Sequence, residues 1–88
     1  MFRIWGKIIK DNRLIRDIVI ENKTDDTRTR KVFCALDTIC YKFDLSKPIW
    51  LDTNINDFKR HSKTRFTQDS FVEPISFDYL EIQVIEEE

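Results

Sequence analysis

A chain of 88 residues, 41 % hydrophobic and 35 % charged with one glycine and two prolines, suits one folded domain with a thin core and excludes a disordered or low-complexity tail. The formal net charge of -1 hides an uneven distribution, since residues 1–68 carry 15 basic and 9 acidic side chains while residues 69–88 carry 7 acidic and no basic ones. No apolar run is long enough for a secretory signal or a membrane span, so a cytoplasmic protein is expected.

The runs "FRIWGKIIK" and "LIRDIVIEN" alternate as strands do and flank Asp11-Asn12, residue types that tolerate the positive φ of a tight turn. A hairpin is predicted. With Asp11 and Asn12 as its loop, Ile4 faces Val19 and Ile8 faces Ile15, so Phe2, Ile4, Ile8, Ile15 and Val19 share one face. Trp5, Ile9, Leu14, Ile18 and Ile20 share the other. Two partly apolar faces imply that the sheet is covered on both sides or meets a partner on one.

From Thr24 the chain changes period. Thr24, Asp25 and Asp26 provide cap and dipole chemistry, and Val32, Phe33, Leu36, Ile39, Cys40 and Phe43 then recur at three- and four-residue steps, predicting a helix over residues 26–43. Pro48 is the stop expected beyond Asp44. Cys34 and Cys40 lie six residues apart on different helix faces, roughly 9 Å apart along the axis, too far to bridge. Both are read as buried thiols of a cytosolic protein, and no zinc spacing surrounds them.

Beyond Pro48, "NINDFKRHSK" allows a second short helix from Asp52 or Asn54 that buries Ile55 and Phe58, and "TRFTQDSFVEPIS" is irregular. Burial of a phenylalanine stabilises by roughly 1.5–3 kcal/mol, against less than about 1 kcal/mol for an exposed charge. Phe58, Phe66 and Phe71 are therefore expected to decide where this segment lies. In "FDYLEIQVIEE", Leu80, Ile82 and Val84 alternate with Tyr79, Glu81 and Gln83 as a strand, with Glu81 and Gln83 near Arg3, Lys7 or Arg16. The predicted fold is a single α+β domain over residues 1–88, with an antiparallel sheet of about three strands packed on one main helix. Its expected core holds Ile4, Ile8, Val19, Val32, Leu36, Ile39, Leu80 and Ile82.

No motif frames a nucleophile or an acid–base pair. His61 lies among Lys59, Arg60, Lys63 and Arg65, neighbours that discourage its protonation, and Gly6, the sole glycine, leaves no glycine-rich phosphate loop. A non-enzymatic protein without cofactor or metal is expected, acting as a protein-interaction module. Trp5, Ile9, Leu14, Ile18 and Tyr79 would form its contact face unless residues 46–76 fold across them, and a homodimer is the simplest partner. The alternative is nucleic-acid binding, with Lys59, Arg60, Lys63 and Arg65 joined by Arg28, Arg30 and Lys31 on phosphates and Phe58 or Phe66 for stacking. The sequence pI near 5.8 counts against it.

The runs "KPIWLDTN", "FKRHSKTRF" and "FDYLEIQVIEE" together resemble a small uncharacterised family of short bacterial proteins of about this length. The resemblance implies a free-standing cytosolic bacterial protein and brings no activity, ligand or catalytic residue to these positions.

Overall fold

The structure, a computed structural model, describes residues 1–87. Strands β1 (Phe2–Lys10) and β2 (Arg13–Asn22) form the hairpin, followed by helices α1 (Arg28–Lys42) and α2 (Asp52–His61), strand β3 (Lys63–Phe66), a 3₁₀ turn (Gln68–Ser70) and strand β4 (Tyr79–Glu86). The architecture is α+β, with four antiparallel strands in the order β2-β1-β4-β3. The fourth strand is β3, inside the segment expected to be irregular. It pairs Thr64 with Ile82 and Phe66 with Leu80, and so turns Thr64 and Phe66 inward.

Asp11 and Asn12 both take positive φ, 54° and 64°, the signature of a two-residue type I′ turn. The predicted register holds beside the turn, where Ile9 meets Leu14, but the next pair is Ile8 with Arg16. Ile15 is the extra residue of a bulge, and one extra residue turns every later side chain to the opposite face. Ile4 therefore meets Ile20, not Val19. Ile18 and Ile20 pack against the core, while Val19 and Ile15 are 38 % and 51 % exposed, correcting their expected inward places.

Both helices cover the same sheet face. Val32, Leu36, Ile39, Cys40 and Phe43 are buried with Phe2, Ile4, Ile8, Leu80 and Ile82, and only Phe33 of the predicted stripe stays exposed. Ile39 of α1 lies close over Gly6 of β1, where an added Cβ would be 2.8 Å from Cδ1 and 2.9 Å from Cγ2 of Ile39. The glycine serves that approach; its φ is not positive.

The caps differ from expectation. Thr27, not the Thr24–Asp26 run, caps α1 by accepting from the Arg30 amide at 3.2 Å. The helix ends at Lys42, well before Pro48, in a Schellman motif, with the Leu45 amide donating to the Cys40 carbonyl at 2.8 Å and Asp44 at a φ of 57°.

The segment after Pro48 is pinned by its aromatics. Phe58, Phe66 and Phe71 are all buried, and Trp50 meets Phe33, Phe58 and Phe66 edge-on at centroid distances of 5.8, 5.7 and 5.0 Å. Such contacts add about 0.5–1.5 kcal/mol each beyond area burial. Inside α2 the buried residues are Asn54 and Phe58, while Ile55 is 39 % exposed. The Asn54 amide donates to Thr64 Oγ1 and to the Arg65 carbonyl, both at 2.9 Å, and its oxygen accepts from the Leu51 amide at 3.0 Å. A buried amide satisfied in this way fixes α2 to β3.

Cys34 is exposed and Cys40 buried, which corrects the reading of two buried thiols. Burial, with Asp37 nearby, pushes the Cys40 thiol from its ordinary 9.0 up to about 11, and reactivity follows the thiolate. One thiol per folded chain is expected to react promptly with a disulfide reagent at pH 8, the second only in denaturant. Two fast thiols in the folded protein would show that α1 does not hold Cys40 inside.

Candidate functional site

The sheet face opposite the helices is formed by Arg3, Trp5, Lys7 and Ile9 of β1, Asp17, Val19 and Glu21 of β2, Tyr79, Glu81 and Gln83 of β4, and Lys63 and Arg65 of β3, as the pairing register requires. Of the predicted contact face, Trp5, Ile9, Leu14 and Tyr79 lie here. Ile18 does not; the Ile15 bulge sends it to the helix side. Residues 46–76 contribute β3 to the sheet and otherwise pack on the helix side through Trp50, Phe58 and Phe71.

Charges on this face are largely paired with one another. Glu81, 7 % exposed, lies 3.5 Å from Lys7 Nζ and 3.8 Å from Arg65 Nε, so Lys7 and Arg65 are its partners among the basic residues of the face. Gln83 accepts from Lys7 at 3.3 Å. Arg3 lies 3.6 Å from Glu21 and 3.5 Å from Glu86, whereas Arg16 is on the helix side, over the Phe43 ring and donating to the Lys42 carbonyl. Trp5 donates to Asp17 at 2.9 Å under the Lys7 ammonium, and Arg65 stacks over Tyr79. Apolar exposure concentrates at the β2 side, where Leu14, Ile15 and Val19 are 49 %, 51 % and 38 % exposed.

The two edges of the sheet are unequal. β3 is four residues long and packs beside α2. β2 is ten residues long and contains no proline. Among the described residues, β1 is the only backbone segment that pairs with β2, so its outer edge is open. A long uncovered edge is a template for a further strand.

The seven basic residues of the nucleic-acid alternative do not form one surface. Lys63 and Arg65 stand on the open sheet face, with Arg65 beside Glu81. Lys31 lies over the Phe2 ring, and Arg30 and Arg60 are exposed on their separate helices. Arg28 and Lys59 both line a groove between α1 and α2 of about 230 Å³, with Val32, Phe33, Trp50, Ile55 and Phe58. Arg28 stacks over Phe58, bonds Ser62 Oγ at 3.0 Å and holds Glu87 at 2.7 Å.

The sequence reading missed this groove. Its signal was Phe33, at the margin of the helical stripe, and Trp50, a large aromatic in an irregular stretch. His61 is exposed, in a cleft with Asp57, Lys63, Thr64, Arg65 and Glu81. Among the described residues, no group of three or more His, Cys, Asp or Glu side chains is placed to hold a metal, and no helix is long and apolar enough to cross a membrane. No family model, curated protein or solved structure matches the chain.

Proposed function

We propose that the protein is a non-enzymatic cytoplasmic interaction module that pairs through the outer edge of β2 and the adjoining uncovered sheet face, its partner being a second copy. The observation that carries this reading is the open ten-residue edge, flanked by exposed Leu14, Ile15 and Val19. The two unpaired thiols fit a reducing compartment. The dispersal of the seven basic residues, with Arg28 and Arg65 already beside carboxylates, supports this reading over nucleic-acid binding, which needs convergent cations free for phosphates.

Light scattering over a dilution series tests it. Wild type is expected to show dimer mass at high micromolar concentration and to dissociate on dilution. Val19→Lys, which places like charges near the two-fold, is expected to give a folded monomer at every concentration, its fold checked by circular dichroism. A strictly monomeric wild type at high micromolar concentration overturns self-pairing.

A further inference from the structure

The groove between α1 and α2 is independent of the β2 edge and has a different chemistry. Its floor is aromatic, its two flanks are cationic, and it leaves apolar surface in water: Phe33 is 46 % and Ile55 39 % exposed. Phe33 extends the edge-on cluster of Trp50 with Phe58 and Phe66 to the surface, so the floor rests on the rigid core. A surface of this kind, apolar in the middle and charged at the margin, is the arrangement of helix-in-groove recognition. Anchors seated on such aromatics carry most of the binding energy, and the rim charges select the partner.

The chain itself shows what the rim accepts. Glu87, from the acidic end that follows β4, places its carboxylate 2.7 Å from Arg28 Nε. Across the groove, Lys59 has no ion-pair partner among the described residues, and its exposed ammonium is available for a second carboxylate. We infer that the groove binds an acidic amphipathic segment of a partner protein, with apolar side chains against Phe33, Trp50 and Ile55 and carboxylates on Arg28 and Lys59. Glu87 then competes with the incoming segment for Arg28. The acidic end acts as a local brake on binding.

The test uses Trp50 as the reporter in a Trp5→Phe background, since Trp5 lies on the opposite sheet face. The probe is the peptide acetyl-EELFEELFEE-amide, whose apolar residues share one helical face, and its control is acetyl-KKLFKKLFKK-amide. A saturable change in Trp50 emission with the acidic peptide, weakening as salt rises, is expected. Phe33→Ser and Lys59→Glu are each expected to weaken it about tenfold; Lys59→Glu leaves the thermal midpoint little changed because its side chain is exposed, whereas Phe33→Ser also gives up the edge-on contact with Trp50 and is titrated at a temperature where circular dichroism shows it folded. Glu87→Gln is expected to tighten it two- to threefold by freeing Arg28, an effect that a merely structural Arg28–Glu87 pair would not produce. Val19→Lys is expected to bind as wild type, which separates the groove from the dimer edge. Equal binding of the lysine peptide, the absence of saturation with the acidic one at millimolar concentration, or indifference to Phe33→Ser and Lys59→Glu would overturn the inference. A mixed-sequence single-stranded oligonucleotide that binds in competition with the peptide and is lost in Lys59→Glu would transfer the groove to nucleic acid.

Discussion

Phe66→Ala is expected to remove about 3–5 kcal/mol of stability, the largest loss among the aromatic residues of the second half. The side chain is fully buried, lies edge-on to Trp50 at 5.0 Å and is carried by the strand residue that pairs with Leu80. Its removal leaves a void at the place where α2, β3 and β4 meet. For a domain of this size each kcal/mol moves the thermal midpoint by roughly 4–8 °C, so a fall of more than about 12 °C is expected. Total stability of small domains is only about 5–15 kcal/mol, and the variant stands near the limit of folding. Lys59→Ala with Lys63→Ala is the contrast: both lysines are exposed, and the pair is expected to change stability by less than about 0.5 kcal/mol. Urea titrations of the three proteins decide it. A loss for Phe66→Ala no larger than that of the double lysine variant would mean that the aromatics do not position the segment.

The second large effect is expected at Gly6. A methyl group there collides with three carbon atoms of Ile39, at 2.8, 2.9 and 3.1 Å, and Ile39 is itself fully buried. Gly6→Ala must displace α1 from the sheet or force Ile39 from its rotamer, at a cost of about 1–3 kcal/mol. Ile39→Ala, which deletes all three colliding atoms, should cost about 2–5 kcal/mol by itself. In the Ile39→Ala background the added methyl enters the space just vacated, and the Gly6→Ala penalty should vanish or change sign. The coupling read from this double-mutant cycle is the measurement. Simple additivity would show that the helix–sheet spacing is not set by this contact.

These two sites differ in how far the chain announces them. Phe66 stands with Phe58 and Phe71 among charged and polar neighbours and was expected, with them, to decide where its segment lies, although its strand was not recognised. Four residues, Lys63–Phe66, are too few for alternation to stand out beside the end of α2. Nothing local marks Gly6 as a point of close approach, because that depends on where α1 crosses the sheet. The hairpin turn was legible because Asp-Asn requires a particular backbone. The Ile15 bulge was not, since an isoleucine in an apolar run gives no sign of being the extra residue. That one residue exchanged the faces of Ile18 and Val19 and altered the expected contact surface. The period of α1 was legible to within two residues at its start. The groove required knowing that Trp50 would stand between Phe33 and Phe58, a relation among three segments that no window of sequence contains.

The strand order β2-β1-β4-β3 has a kinetic consequence. The hairpin and the two helices close over short stretches of chain, but β4 lies between β1 and β3, and its partner in β1 is distant: Lys7 and Gln83, hydrogen-bonded through their side chains, are 76 positions apart in sequence. Loop closure over that span comes before any reward from the central pairing. Until β4 enters, Ile4 and Ile8 on one side and Phe66 on the other lack the residues that bury them, and two inner strand edges stand bare. The slow step of folding is therefore the insertion of a middle strand, and the interval before it is when this chain is most open to association with the wrong neighbour.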